Sequence, residues 1–431
     1  MEMIGTVIVY IIMTCAVIGA IAAIKNPDDG LGRQFMDGVH AIGQIFVPTA
    51  GIMASIPFLT IIVEKCVSPI FKTIGADPAI AATTILASDM GGYQLAQTLA
   101  NSYEGWIMAL VVGFMAGATI VFSIPMGLAM LDRRDHKYMA LGIMSGILSI
   151  PFGAFISTTL IMLFNTKVRE VIGTSEAPTY VFSISILQVF INLLPLIVFV
   201  ILLAAGLKFF PDFMIKGFML FGKLMDAAIK LVLVFSIVEI FTGLFSNLFG
   251  AWGFDPIMAD KEDQFRALEV AGNIGIMLAG AFPMVYLIRK YLSKPLEVIG
   301  SKFGLSSAGS AGILATCANI LAMFSLVRYM PPKDKVINIS FAVCSAFLLG
   351  DHLSFTANFQ PSIILPVIIG KFSAGIIAII LAFWLSVPTA KKLEAKDRAA
   401  GIIKQNEYME ETSEASMPSL TEGEGAMSKA N

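Results

Sequence analysis

Apolar runs of roughly 20 residues, long enough to cross the hydrocarbon core of a bilayer as helix, recur along this chain and constrain its fold more than any other feature. They extend from Met3 to Ile24, Val39 to Val63, Trp106 to Leu131, Tyr138 to Asn165 and Tyr180 to Leu207, and continue as far as Trp384. No polar stretch between them reaches the size of a soluble domain. Of the 431 residues, 57% are hydrophobic and 14% charged, with a mean hydropathy of +0.81, too little polar surface to face water on all sides. The expectation is an all-α polytopic membrane protein. Only Met1 and Glu2 precede the first run, without the basic segment of a signal peptide, so that run reads as a retained span.

Several function classes drop out. A net charge of -2 implies neither a nucleic-acid partner nor a basic membrane-binding surface. Cys15, Cys66, Cys317 and Cys344 lack CxxC spacing, and His40, His136 and His352 lie far apart, so no metal site and no cofactor are expected. The chain has no GxxxxGK[ST], no GxGxxG and no HExxH, the signatures of ATP-driven transport, dinucleotide binding and zinc proteolysis. No catalytic residues are expected, and any energy source would be a gradient. Trp106, Trp252 and Trp384 fall at ends of apolar runs, as in an interfacial aromatic belt. Residues 1–390 form the expected transmembrane domain, and the polar stretch 391–431 is too poor in apolar residues to bury anything and reads as a disordered cytoplasmic tail.

The chain also matches itself. GQIFVPTAG (43–51) meets GNIGIMLAG (272–280), EKCVSPIFKTIG (64–75) meets RKYLSKPLEVIG (289–300), and ILAS (85–88) meets ILAT (313–316). GATIVFS (117–123) meets GDHLSFT (350–356), and MSGILSI (144–150) meets SAGIIAI (373–379). A constant order at nearly constant offset marks a duplicated unit: repeat 1 over about 1–166, a linking span over about 179–207, and repeat 2 over about 211–388. Eleven simple spans would leave the loop Lys and Arg almost evenly divided between the two sides. Letting 77–102 and 306–327 enter and leave on one side, as re-entrant helical hairpins, leaves nine full spans and gathers most basic residues with the tail on the cytoplasmic side. SDMGG (88–92) and TCAN (316–319) interrupt those two segments with small and polar residues. The hairpins then open on opposite faces, an inverted repeat with broken helices near the midplane, which is a recurrent design of secondary transporters.

Polar side chains inside such runs are costly, about 2.5–3.5 kcal/mol for Asp at a helix centre, and are therefore the candidate site. Asp89, at the first hairpin tip with Ser88, Tyr93 and Gln94, is the carboxylate best placed for a cation, since a half-helix C-terminus adds partial negative charge there; capping the following half-helix is its alternative role. Thr316 and Asn319 occupy the second tip, where Cys317 stands in place of an acid, an asymmetry that suits a small monocation carrying one hydroxyl. GDHLSFTANFQP (350–361) holds Asp351, His352, Thr356 and Asn358 and reads either as an unwound stretch lining a path or as an outer loop. Gln44 and Asn273 match across the repeats and either line one cavity or glue helices together. Glu239 either pairs with Lys371 or faces water.

Three stretches, GQIFVPTAGIMASIPFL, ILASDMGGYQLAQTLA and LGDHLSFTANF, resemble the ethanolamine-utilisation permease family, the EutH type of bacterial inner membranes. The resemblance covers the chain to about Trp384. It implies uptake of ethanolamine into the cytoplasm, by facilitated diffusion or gradient coupling, to feed a lyase housed in a bacterial microcompartment. It supplies no substrate-contacting residues. On the residues alone, Asp89 and Asp351 are expected to hold the ammonium and Asn319, Thr356 and Asn358 the hydroxyl. Two rival functions stand beside this one: a cation-coupled secondary transporter of another small polar solute, and a membrane scaffold or receptor that transports nothing. Membrane lipid is an expected partner, and a homo-oligomer is left open.

Overall fold

The computed structural model describes residues 2–302, 304–404 and 408. Among the described residues it is a helical bundle with one small sheet, a two-residue antiparallel ladder pairing Lys167 with Val181 and Val168 with Tyr180. Among the described residues six helices are long and apolar enough to cross a membrane: Glu2–Lys25, Tyr103–Met130, Arg133–Leu163, Ile186–Phe209, Ala267–Leu292 and Pro361–Leu385. A seventh candidate is the pair Gly30–Ala54 and Ile56–Cys66, bent by 55°. Pro57 explains the bend, because it lacks an N–H and its ring displaces the carbonyl one turn back.

The helices divide into a shell and a centre. Only 17% of the apolar window in Glu2–Lys25 and 28% of that in Ile186–Phe209 is buried, against 89% in Tyr103–Met130. On Ile186–Phe209 the exposed residues include Leu187, Phe190, Leu194, Val198, Ile201 and Leu202, an apolar stripe at helical spacing that suits contact with acyl chains. Trp106, expected at an interface, is instead fully buried and stacks on Tyr93 with ring centroids 4.6 Å apart. Its indole N–H donates to the Tyr93 carbonyl at 2.9 Å, and the polar handle is thereby satisfied inside the core.

Long-range contacts gather the helix ends into two sets. In one set Gly5 abuts the Pro361 carbonyl, Gln360 bonds the Arg169 backbone, Tyr180 donates to Glu104, and Asp77 accepts from the Asn101 amide while its own amide donates to Asn192. In the other set the buried Lys335 ammonium bonds Asp135 at 2.6 Å, Ser306 donates its amide to Asp334, and Lys137 and Tyr138 both donate to Asp397. That last contact corrects the expectation of a disordered tail from residue 391. Val387–Ala399 is a helix folded against the second set of ends. Burial pushes the Asp397 carboxyl up, but the hydrogen bonds from Lys137 and Tyr138 outweigh this and hold it below the usual carboxylate range. Most of the expected tail beyond it, 405–407 and 409–431, lies outside the described residues.

Candidate functional site

Two pairs of short, mostly buried helices flank the start of the helix Asp351–Phe359. The first is Ala79–Ile85 and Gly92–Leu99, joined by a 3-10 turn over Ser88–Met90 and by Gly91 at φ +94°. The second is Ser307–Ala318 and Ile320–Leu326, broken only at Asn319. Each pair returns to its starting level and is clasped there by a buried carboxylate. Asp77 accepts the Asn101 amide at 3.0 Å, and Asp334, just beyond the second pair, accepts the Ser306 amide at 2.7 Å. Neither aspartate was singled out in the sequence, because each role depends on a partner distant along the chain.

Both tips lie against interrupted long helices. The first tip packs on Tyr103–Met130, where Gly113–Ser123 widens into a π-helix and Ser88 donates to the Leu110 carbonyl at 2.9 Å. A Cβ on Gly117 would stand 2.1 Å from the Leu86 carbonyl oxygen, so only glycine admits this approach. The second tip packs where the helix Pro332–Ser345 ends and Asp351–Phe359 begins. The irregular backbone between them donates from Phe347 to the Thr316 carbonyl at 3.2 Å and from Leu349 to the Cys317 carbonyl at 2.8 Å. A Cβ on Gly350 would lie 2.4 Å from the Ala318 carbonyl oxygen. GDHLSFTANFQP is thus neither an unwound lining nor an outer loop: it is a mostly buried helix, with the unwound stretch just before it. Pro361 begins a 3-10 turn after Gln360, and Pro366 sits in the first turn of its own helix, where a missing N–H is tolerated.

Asp89 is buried at 8% exposure, and its Oδ1 accepts no hydrogen bond from another described residue. His352 Nε2 lies 3.9 Å from Asp89 Oδ2, and the imidazole stacks on Phe114 at 4.6 Å between ring centroids. Asp351 is half-buried beside them, within electrostatic reach of Asp89. The helix Gly92–Leu99 begins at Gly91 with no side-chain cap, so the capping role weighed for Asp89 is not the one it takes. Gln94, one turn beyond, is buried with neither amide atom hydrogen-bonded to a described residue.

The remaining sequence candidates fall elsewhere or are engaged. Tyr93 is fully buried, and its hydroxyl accepts from Gln360 at 2.9 Å. Asn319 caps the helix after it, accepting the Leu321 amide at 2.8 Å. Thr316 and Thr356 each donate one turn back within their own helices. Asn358 donates to the carbonyls of Asn273 and Ser354, and Asn273 to that of Glu269, a knot at the first set of ends. Gln44 is exposed on Gly30–Ala54. Glu239 meets Ser246 and the Phe245 amide rather than Lys371. Lys371 is the residue that sequence reasoning undervalued: it is buried beside Phe114, to whose carbonyl its ammonium donates at 2.8 Å. A lysine in the middle of ILPVIIGKFSAGIIAII was signal enough, since intramembrane charge marks function by default. Among the described residues no group of three or more His, Cys, Asp or Glu side chains is arranged to hold a metal ion.

Comparison with known proteins places this arrangement. Residues 4–385 match the family described as "Ethanolamine utilisation protein, EutH". The chain is similar to a protein named probable ethanolamine permease EutH from Listeria monocytogenes, 37% identical over 94% of this chain and 99% of the relative. It is also similar to proteins of the same name from Escherichia coli, 37% identical over 85% of this chain and 89% of the relative, and from Salmonella typhimurium, 35% identical over 86% and 89%. No solved structure matches it. With most of its length matched, and with relatives this similar over nearly their whole sequences, the chain belongs to the EutH family of ethanolamine utilisation proteins.

Proposed function

We propose that this protein is a permease, not an enzyme, that carries protonated ethanolamine across a bacterial inner membrane, with Asp89 holding the ammonium. One observation carries the reading: a buried carboxylate in the break between two short helices, with an oxygen that no donor of another described residue reaches. Such a group is expensive to bury alone, and a primary ammonium, with three N–H donors and a full charge, offsets the cost. His352 and Asp351 complete the polar wall, and the rings of Phe114 and Phe347, with centroids 4.6 and 5.3 Å from that of the imidazole, pack around it. Gln94, with neither amide atom bonded to a described residue, is the better candidate for the hydroxyl than Thr356, which donates to its own helix, or Asn319 and Asn358, whose Oδ1 and Nδ2 respectively are held by the backbone. A primary alkylamine stays protonated at neutral pH, by analogy with Lys at roughly 10.4, and the cation crosses bare lipid poorly. Purified protein in liposomes should therefore speed entry of radiolabelled ethanolamine most at acidic pH, where the neutral amine is scarcest. Equal entry with and without protein at low pH would refute the reading.

The same protein, in this reading, is an inverted duplication of nine spans and two re-entrant hairpins. Three features support it. The clasped mouth of the first pair belongs to one set of helix ends and that of the second pair to the other. Gly117 and Gly350, aligned in the internal match, make the same close approach to a tip carbonyl in their respective repeats. The set holding Asp334 also holds Arg133, Arg134, Lys333, Lys335 and Lys391, as the positive-inside rule asks of the cytoplasmic face. The C-terminus is then cytoplasmic. In a background lacking native cysteines, a cysteine at the exposed Ser102 should react with an impermeant thiol reagent added outside, and one at the exposed Asp132 should not; the reverse pattern would turn the molecule over.

A further inference from the structure

Among the described residues two lysines are fully buried, and they differ in one respect. Lys335 meets a carboxylate, Asp135, at 2.6 Å. Lys371 has no carboxylate of a described residue within 4.0 Å; its ammonium donates to the Phe114 carbonyl, in the π-helical stretch of Tyr103–Met130. The first is a structural ion pair at a helix end. The second occupies the centre: Phe114 stacks on His352, His352 faces Asp89 at 3.9 Å, and the Asp89 carboxylate lies within electrostatic reach of the Lys371 ammonium. The other titratable groups around it are the thiols of Cys344, on Pro332–Ser345, and of Cys317, at the second tip. The helix carrying it is anchored close by, since the Lys371 carbonyl accepts from Ser345 at 3.0 Å, while the four-carbon stem leaves the ammonium free to be redirected.

We propose that Lys371 is a tethered counter-cation of the transport cycle. Its ammonium is the same chemical group as that of the substrate. It neutralises Asp89 when no substrate is bound, and retires to the Phe114 carbonyl when the substrate ammonium takes the carboxylate. A carrier that exposes a buried carboxylate to alternate sides must keep it compensated during the empty return as well as the loaded crossing. Lys371 supplies that compensation from within the chain, so no free cation such as sodium is needed. The inference rests on the ethanolamine reading of Asp89, and its test separates the two.

The experiment compares two fluxes in proteoliposomes: net uptake of radiolabelled ethanolamine into empty vesicles, and exchange into vesicles preloaded with unlabelled ethanolamine. Exchange needs only loaded crossings, whereas net uptake also needs the empty return. Lys371→Met keeps the stem and removes the charge, so net uptake should fall by at least about tenfold while exchange stays within about threefold of wild type. Lys371→Arg should preserve both. Parallel loss of the two fluxes, or no change in either, would overturn the proposal. Wild-type protein gives an independent check: net uptake should survive replacement of sodium by N-methylglucamine, and its collapse would show that a free cation does the work assigned to Lys371. If wild-type vesicles neither exchange nor take up ethanolamine beyond protein-free ones, the substrate assignment itself falls, and this inference with it.

Discussion

The two helix tips at the centre of the bundle are built from similar sequence and do different work. The first breaks over several residues, through a 3-10 turn and a left-handed Gly91, and leaves the Asp89 carboxylate facing His352 with an oxygen uncommitted. The second breaks at Asn319 alone, and most of its polar groups are engaged: the Asn319 Oδ1 on the following helix, Thr316 on its own helix, and the Thr316 and Cys317 carbonyls on the unwound stretch before Asp351. Irregular backbone at membrane depth must be satisfied by protein or by a water-filled cavity. The second tip satisfies a neighbour's break, whereas at the first the Asp89 Oδ1 meets no donor among the described residues, the feature on which the proposed substrate role rests. In the proposed inverted duplication, one copy would bind the substrate and the other brace the unwound stretch.

That division can be attacked at the shared element first, where the effect should be largest. Gly117→Val and Gly350→Val should each prevent stable insertion of folded protein, because their Cβ positions stand 2.1 and 2.4 Å from tip carbonyl oxygens in backbone that cannot yield cheaply. The measure is the monodisperse fraction on size-exclusion chromatography in detergent. A well-folded valine variant at either position would mean that the tip is not held where the structure puts it.

A smaller effect sharpens the contrast. Asn319→Ala should lower stability by about 1 kcal/mol, the usual cost of a lost helix cap, read as a drop in thermal midpoint, while ethanolamine affinity stays within about twofold, a few tenths of a kcal/mol. A large loss of affinity without loss of stability would return Asn319 to the binding site, where the sequence alone had placed it.

How much of this was legible follows from which contacts are local. The apolar runs, the SDMGG and TCAN interruptions and the suspicion attached to Asp89 are all readable within a few residues, and the structure places helices and breaks at those points. Asp77 and Asp334 act through partners 24 and 28 residues away, and Phe114 receives Lys371 across 257, distances over which a pattern carries no information about who meets whom. GDHLSFTANFQP misled because its polar residues were read as exposure, whereas Thr356 and Asn358 satisfy themselves on helix carbonyls one turn back and so tolerate burial. The tail misled in the opposite way. Its charge looked like disorder, but Asp397 finds Lys137 and Tyr138, and the polar helix docks through them.

The central claim is that Asp89 holds the substrate cation, and the most direct measurement is equilibrium binding of radiolabelled ethanolamine to purified, folded wild-type and Asp89→Asn protein. The substitution keeps the shape of the side chain and removes its charge, and no capping role exists for the amide to rescue. Hydrogen bonds to charged groups contribute about 1.5–3 kcal/mol, so affinity should weaken roughly ten- to a hundredfold while the thermal midpoint holds or rises, since a buried charge has been removed. Near wild-type affinity in a folded Asp89→Asn protein would contradict the account and assign that carboxylate to structure.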